Sequence, residues 1–347
     1  MKLYLNTHID PFFNLAAEEH LITHAADDII MLWRNEASVI IGKNQNAYAE
    51  INLDFTEKNG IKVVRRLTGG GAVFHDLGNV NFTFISPKGG ALAEGIREGG
   101  LDFAHFTRPI IEALGSLGIN AKLSGRNDVI VECEDGERKV SGNAQCVIDG
   151  TTMHHGTLLY SASMERLQGA LNVDASKLKS KGIASVKSRV ANIRELLSDE
   201  LAEKVGDAEG FMAFLGDYLS HEFCVWAQPF SAEDEREITA LADSKYKTDA
   251  WNLRRFATFE HSVKRRFDFG TLEVSMRVED GVIADMSIVG DFFGVRDISE
   301  LSAQLCGAPL VRGAIIERLG GVVVSEYVSG ARARDIADLL CECDTVL

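Results

Sequence analysis

Three adjacent glycines, Gly69 to Gly71, constrain the fold of this chain more than any other feature of its sequence. The β-branched run 62–66 lies just before them, and Ala72-Val73-Phe74 follows directly. Glycine tolerates φ > 0 and close backbone approach without penalty, so three in a row let successive N–H groups converge on an anion. Arg66 adds a fixed positive charge. The pattern predicts two strands joined by a phosphate-binding loop, with a plain glycine-rich turn as the alternative.

The loop matches neither of the two common nucleotide-binding motifs. No Gly-Lys-Ser/Thr closes it as in a P-loop, and its spacing is not that of a dinucleotide fingerprint. Four further blocks of sequence make a family resemblance specific, because together with the loop they resemble the signature of lipoate-protein ligases. In chain order the five blocks are Asp10–Ala16, Arg66–Gly78, Ser124–Val129 with Arg138–Gln145, His154–Leu159 and Lys181–Val190.

The resemblance implies an α+β fold in two parts. The larger part is a catalytic domain of mixed, largely antiparallel sheet with flanking helices, similar to that of biotin and lipoate ligases. The smaller part is an α+β accessory domain at the C-terminal end, as in the long bacterial ligases. A polar stretch at 243–250 precedes Trp251, and we place the boundary there, giving a catalytic domain 1–246 and an accessory domain 251–347.

Local patterns place the blocks on secondary structure. Asp10 followed by Pro11 is an N-cap with proline at the first helical position, which predicts a helix. A second helix is expected over 101–118. Strand-like residues 128–131 and 138–140 flank a turn of the Asp-Gly type, which predicts a hairpin with Lys139 on its returning strand. A second hairpin is predicted for 267–278 and 282–289, and 163–245 reads as mainly helical.

Composition limits the partners. The 347 residues carry a formal net charge of −15, with 46% hydrophobic and 25% charged residues. Such a balance fits a globular protein and argues against a nucleic-acid surface, which needs clustered Lys and Arg. No apolar run approaches a membrane span, Met1–Asn6 lacks the apolar stretch of a signal peptide, and the six cysteines form no framework. We therefore expect a cytoplasmic protein that binds neither membrane nor nucleic acid. We also expect a monomer, which these observations do not decide.

The function implied by the resemblance is lipoate–protein ligation. Lipoate and Mg·ATP would first give lipoyl-AMP and pyrophosphate, and the lipoyl group would then pass to one lysine of an acceptor protein. The implied acceptors are the lipoyl domains of 2-oxoacid dehydrogenase acyltransferases and the glycine cleavage H protein. ATP and Mg²⁺ are the implied cofactors, and lipoate is the substrate.

The resemblance also assigns residues. Lys139, in the Lys-Val-Ser-Gly block, is the implied catalytic donor, because one ammonium can touch the acyl oxygen and the α-phosphate together. Asp128 offers a hard oxygen for Mg²⁺, with a structural hydrogen bond as the alternative. The further implied contacts are Arg66, Gly71, Ala72, Val73, Phe74 and Lys139 with ATP and the adenylate, Gly69, Gly70 and Lys139 with lipoate, and Lys181, Lys187 and Arg189 in a loop covering the adenylate.

Two other functions stay open at this point. One is an ATP-independent octanoyl or lipoyl transferase of the same superfamily, which would relay the acyl group through a thiol or a lysine. Cys146 is the one cysteine near the predicted site. The other is a non-catalytic regulator that binds lipoate or a nucleotide. The histidines His75, His154 and His155 are expected to be structural.

Overall fold

The chain divides into two compact units in a computed structural model, which describes residues 1–96, 100–133, 136–171, 190–253 and 256–342. The first unit comprises 1–41, 48–65 and 72–252. The second comprises 253–347 together with two short segments from the N-terminal part of the sequence, 42–47 and 66–71. The glycine loop thus belongs to the same compact unit as the C-terminal segment.

An eight-stranded sheet dominates the first unit. Its neighbouring strands lie in the order β11-β1-β2-β6-β10-β9-β8-β7, and a separate three-stranded sheet has the order β4-β3-β5. The strands are β1 (Lys2–Leu5), β2 (Ile29–Trp33), β3 (Ser38–Ile41), β4 (Lys62–Arg65), β5 (Val73–His75), β6 (Asn79–Ser86), β7 (Ala121–Ser124), β8 (Asp128–Cys133), β9 (Gly136–Ile148), β10 (Thr151–Leu159) and β11 (Ala227–Gln228).

Helices are found in both units. They are α1 (Pro11–His24), α2 (Ala47–Glu50), α3 (Leu53–Lys58), α4 (Phe103–Ser116), α5 (Met164–Ala170), α6 (Asp199–Val205), α7 (Ala208–Glu222), α8 (Ala232–Leu241), α9 (Asp249–Asn252), α10 (Ile298–Leu305), α11 (Arg312–Arg318), α12 (Val324–Tyr327) and α13 (Ala333–Glu342). Within the described residues, none of these helices combines the length and apolarity needed to cross a bilayer.

The two faces of the large sheet have different partners. Phe82 and Phe84 of β6 belong to an apolar core that includes Phe106 of α4 and Leu215 of α7. Thr83 lies between them and points to the opposite face, where its hydroxyl donates to a carboxylate of α1. Side chains alternate along a strand, so β6 packs against α4 and α7 with one face and against α1 with the other.

Sequence patterns account for much of this local structure. The helix predicted after Asp10 is confirmed as α1, and the Asp10 carboxylate accepts the N–H of Phe12. The helix predicted over 101–118 is confirmed as α4, which contains Pro109. The glycine loop does join two strands, β4 and β5, which both pair with β3.

The second unit contains a small antiparallel sheet. Its strands β12 (His261–Phe267), β13 (Gly270–Glu279) and β14 (Val282–Gly290) lie in sequence order, and helices α10 to α13 contribute to its apolar core. The second predicted hairpin is therefore confirmed as β13 and β14. The predicted α+β class, with a large mixed sheet and a small C-terminal sheet, is confirmed as well.

Arg65, at the end of β4, is a structural residue. It is fully buried, and its guanidinium donates to the backbone carbonyls of Trp251 and Asn252 at 3.1 Å each. The Asn252 side chain accepts the Arg65 backbone N–H at 3.0 Å and donates to the Tyr246 carbonyl at 2.5 Å. This arrangement fastens α9 to the strand that leads into the glycine loop.

We predict that Asn252→Ala strongly destabilises the first unit. The substitution leaves the buried Arg65 N–H and Tyr246 carbonyl without their side-chain partner, which costs about 2–5 kcal/mol for the two groups together. Thermal unfolding should show a clearly lower midpoint than the parent protein. The control is Asn59→Ala, since Asn59 is exposed and caps only α3. Equal midpoints for the two variants would contradict the assignment.

Candidate active site

A β-bulge in β9 determines where Lys139 points. Asp128 pairs with Gly142, Val129 with Ser141, and Ile130 with Lys139, so Val140 is the extra residue. In an unbroken ladder Val140 would oppose Ile130 and Lys139 would share the core face with Val129. The bulge instead leaves Val140 fully buried in the core and puts Lys139 on the other face, beside Asp128.

The Lys139 ammonium pairs with the Asp128 carboxylate at 2.7 Å. The two side chains are 33% and 40% exposed, so both can be reached from solvent. A Cβ added to Gly142 would lie 2.7 Å from the Lys139 Nζ, so the lysine side chain lies directly over bare backbone. The structure thus brings together two predicted site residues, Lys139 and Asp128, and the Lys139 side chain lies against the backbone of Gly142. An ammonium has three donors, and the pair with Asp128 occupies one of them.

The residues that directly follow the predicted adenylate-covering segment pair with Lys139. Lys181, Lys187 and Arg189 lie outside the described residues. Val190, which follows them, forms a parallel bridge with Lys139, and the N–H of Ala191 donates to the Lys139 carbonyl at 3.0 Å. At the other end of that segment, Leu171 bridges Ile51. Both ends are therefore anchored by strand-type pairing, and one of them is anchored on the predicted catalytic lysine.

Arg66 organises the glycine loop from within. Its residue is 5% exposed, and the guanidinium donates to the Thr68 hydroxyl at 2.9 Å, the Gly69 carbonyl at 2.6 Å and the Gly71 carbonyl at 2.8 Å. Arg66 therefore has a structural role, and its contact with phosphate stays a prediction. The arginine fixes the curvature of the loop and places a positive charge behind its backbone.

The three glycines serve different purposes. A Cβ on Gly69 would lie 2.2 Å from the Phe292 carbonyl oxygen, so this position has no space for a side chain. Gly70 has φ of +90° and donates its N–H to the same carbonyl at 3.3 Å. Gly71 is exposed, and a Cβ there would meet no atom within 4 Å. Packing and backbone conformation therefore explain Gly69 and Gly70, whereas neither explains Gly71.

The three residues after the glycines lead into β5. Ala72 and Val73 are partly exposed, and Phe74 is 2% exposed. Val73 pairs with Ile40 and Phe74 with Val39. The Phe74 side chain is buried, and the backbone contact that the resemblance implies for this residue stays a prediction.

The sequence did not single out a buried polar group on the α1 side of the large sheet. The Glu18 carboxylate, in a residue only 1% exposed, accepts from the Thr83 hydroxyl at 2.6 Å and lies 2.8 Å from His155 Nδ1. The indole N–H of Trp33 donates to Thr83 at 2.9 Å. The sequence signals for this group were the block His154-His155-Gly156 and the acidic residue Glu18 in the predicted first helix. Only the paired strands show that His155 and Glu18 are in contact.

His154 behaves as the predicted structural residue. It is completely buried, with its ring stacked against Phe106 and Phe82. Burial lowers the pKa of His154 well below the usual histidine value, with a smaller contribution from the charge of His155. A neutral imidazole held among phenylalanines is part of the core, so the neighbouring histidines have different roles: His154 packs, and His155 pairs with Glu18.

Two family models match this chain in order, and a named relative matches nearly all of it. The family model described as lipoyl protein ligase A/B catalytic domain matches residues 10–208, and the bacterial lipoate protein ligase C-terminus matches 257–340. The lipoate-protein ligase LplJ of Bacillus subtilis (strain 168) is 39% identical over 336 residues, which cover 95% of this chain and 97% of that protein.

Two solved structures extend the similarity to the fold. LipL1 of P. falciparum in complex with lipoate has a TM-score of 0.75 at 25% identity, covering 100% of this chain and 99% of its own. A lipoate-protein ligase A bound with ATP has a TM-score of 0.54 at 26% identity, covering 73% of this chain and 98% of its own. With both family models matched in order along nearly the whole length, this chain belongs to the lipoate-protein ligase family.

Proposed function

We propose that this protein is an ATP-dependent lipoate-protein ligase in which Lys139 is the catalytic donor. In the first step a lipoate carboxylate oxygen attacks the α-phosphorus of ATP, the bond to pyrophosphate breaks, and lipoyl-AMP forms. In the second step the amine of an acceptor lysine attacks the lipoyl carbonyl carbon, AMP leaves, the nitrogen loses a proton, and an amide remains. The observation that carries the proposal is the Lys139 ammonium held over Gly142 by Asp128.

The role of Lys139 follows from where charge develops. In the first step negative charge builds on the α-phosphoryl oxygens, and in the second an oxyanion forms at the lipoyl carbonyl. A donor that is already oriented stabilises both without reorganising at the moment of reaction. The bulge at Val140 and the pair with Asp128 supply that orientation. Both steps use the same ammonium because the two developing charges lie on adjoining groups of one adenylate.

Asp128 also has the donor chemistry for Mg²⁺. This cation is usually bound by one or two carboxylates plus substrate phosphates and water, and an ionised carboxylate that pairs with Lys139 keeps further acceptor sites. We propose that Asp128 both orients Lys139 and contributes an oxygen to the metal. When bound, Mg²⁺ would neutralise phosphate charge. The carboxylate itself holds the ammonium on the correct face of the hairpin.

The glycine loop is proposed to bind the two substrates through its backbone. Arg66 and the N–H groups near Gly71, Ala72, Val73 and Phe74 would face ATP, and Gly69 and Gly70 would let the lipoyl chain pass closely. The buried guanidinium of Arg66, which fixes the loop carbonyls, supports a preformed cradle. We further propose that Lys181, Lys187 and Arg189 close over the adenylate, supported by the anchoring of Val190 on Lys139.

The proposed acceptors are lipoyl domains of 2-oxoacid dehydrogenase acyltransferases and the glycine cleavage H protein.

We also propose a monomer acting in the cytoplasm, with a catalytic domain 1–246 and an accessory domain 251–347. The contact of Gly69 and Gly70 with Phe292 supports a role for the accessory domain in shaping the glycine loop.

The ligase is favoured over a thiol-relay transferase by the state of Cys146. This residue is 7% exposed near the C-terminal end of β9 and pairs with Met153 on β10. A buried thiol in a paired strand is poorly placed to accept an acyl group. The test is mass spectrometry of a lipoyl domain incubated with this protein, lipoate and Mg·ATP, which should gain one lipoyl group. A gain that requires an acyl carrier and no ATP would favour the transferase.

We predict that Lys139→Ala lowers lipoate-dependent ATP–pyrophosphate exchange by on the order of 10²–10³, as expected for loss of one oriented donor. The fold should persist, because the side chain is partly exposed. The matched control is Lys122→Ala, a hairpin lysine that is 50% exposed and pairs with Glu132 and Glu137. Exchange by Lys139→Ala equal to that of the parent protein would show that Lys139 is not the catalytic donor.

Asp128→Asn separates the two roles proposed for this carboxylate. If Asp128 only orients Lys139, exchange falls at every Mg²⁺ concentration by a constant factor. If it also binds the metal, the Mg²⁺ concentration for half-maximal exchange rises as well, because one charged oxygen ligand is lost. We expect both changes. A constant factor alone would restrict Asp128 to the orienting role.

A pair of alanine substitutions separates folding from ligand approach in the loop. Gly71→Ala should leave the unfolding midpoint near that of the parent, because a Cβ there meets no protein atom, yet weaken ATP and lipoate binding measured by calorimetry. Gly70→Ala should destabilise the protein by about 1–3 kcal/mol because of the positive φ. Unchanged ligand affinity in Gly71→Ala would show that ligands do not approach this residue closely.

A further inference from the structure

A cluster of two histidines and a glutamate joins helices α1 and α8, both within the first unit. His20 and His24 lie one turn apart on α1, and Glu237 lies on α8. One ligand atom from each of the three side chains lies within 4.8 Å of the other two. None of these residues belongs to the proposed catalytic machinery. We propose that His20, His24 and Glu237 form a Zn²⁺ site that fastens α8 to α1.

The surroundings of His20 set the tautomer that a metal needs. Its Nε2 lies 2.9 Å from Asp234 Oδ1, and its Nδ1 lies 3.6 Å from Glu237 Oε2. With Nε2–H donating to Asp234, the lone pair of Nδ1 faces the second carboxylate. Metal-binding histidines usually donate their other ring N–H to a carboxylate or carbonyl in this way, which fixes the ring and raises its basicity.

Asp234 is itself fixed by its position at the start of α8. Its second carboxylate oxygen accepts from the N–H and hydroxyl of Ser231 at 3.1 and 2.6 Å, while its own N–H donates to the Ser231 hydroxyl. This capping box leaves Oδ1 directed at His20. The orientation of His20 therefore does not depend on a flexible surface carboxylate.

His24 is oriented in the same manner by the backbone. Its Nδ1 lies 2.8 Å from the carbonyl of His20, so Nδ1 carries the proton in the neutral ring and Nε2 has the lone pair. The two imidazole centroids are 4.7 Å apart. His20 and His24 thus each keep one ring nitrogen with a lone pair, and the Glu237 carboxylate completes a set of three ligand atoms within 4.8 Å of one another.

The donor set selects the metal. Two imidazole nitrogens and one carboxylate suit a borderline cation such as Zn²⁺, whereas Mg²⁺ and Ca²⁺ prefer oxygen ligands alone. Tetrahedral zinc with ligands at about 2.0–2.2 Å needs ligand atoms roughly 3.3–3.6 Å apart. Glu237, whose side chain is 47% exposed, and the exposed His24 can reach this spacing by small torsional changes. Water would complete the coordination.

A metal at this site would help to hold α8 in position. This helix lies outside both regions matched by the family models, 10–208 and 257–340. Ile238 is its one buried residue, so apolar packing contributes little to holding it. Polar contacts link it to the N-terminal region, including His8 with Glu235. A metal shared with α1 would add a link that does not depend on apolar area.

The experiment uses the full-length protein after treatment with a chelator and return to metal-free buffer. Zinc is then titrated by calorimetry, bound metal is counted by elemental analysis after dialysis, and unfolding midpoints are measured with and without Zn²⁺. Co²⁺ in place of zinc gives a visible spectrum that reports four-coordination. We expect one zinc per chain, a higher unfolding midpoint with zinc, and unchanged ligase activity without it.

His24→Asn and Glu237→Gln should each weaken zinc binding by about tenfold or more and abolish the increase in midpoint. The matched control is His221→Asn, because His221 is an exposed helix histidine whose Nδ1 also lies 2.7 Å from the carbonyl four residues earlier, at Asp217. It should bind zinc like the parent. Failure of the parent to bind zinc would overturn the proposal. Binding that persists in His24→Asn but is lost when the cysteines are alkylated would overturn it too.

Discussion

The geometry of the lysine site depends on one extra residue in a strand. Side chains alternate between the two faces of a sheet, so the bulge at Val140 moves Lys139 from the core face to the face that carries Asp128. The apolar neighbours hold this register, since Val129, Val131 and Val140 all belong to the buried core. A slip by one residue would bury an ammonium and expose a valine, both unfavourable, so core packing fixes the direction of the Lys139 side chain.

Close backbone approach is the second constraint, and it is met by glycine in two parts of the chain. Gly142 lies directly beneath the Lys139 side chain, and Gly69 is in contact with the Phe292 carbonyl. In both places a Cβ would collide with existing atoms. Gly71 differs because the protein leaves space around it. The distinction separates glycines that the fold requires from a glycine that a ligand would require.

Arg65, Arg66 and Lys139 each have partners within the protein. Arg65 donates to the carbonyls of Trp251 and Asn252, and Arg66 donates to carbonyls of its own loop. Lys139 pairs with Asp128. In a chain with a formal net charge of −15, such pairing fixes each cation in one orientation. The arginines shape backbone through neutral carbonyls, whereas the lysine is held by a carboxylate and keeps donors for a ligand.

The sequence by itself determined the local elements and the family. Asp10 and Pro11 specify the start of α1 through capping and a fixed φ, and Gly70 occupies a positive-φ position that other residues adopt only at a cost. Ordered blocks of sequence identified the ligase family and named Lys139, because these signals are local in the chain.

Tertiary structure alone decided the bulge that orients Lys139, its pairing with Asp128, and which glycines the packing of the protein requires. It also decided the meeting of Glu18 with His155 and of His20 with Glu237, which are 137 and 217 residues apart in sequence. Those outcomes depend on strand register and helix packing, which are set by the whole core and leave no local trace in sequence.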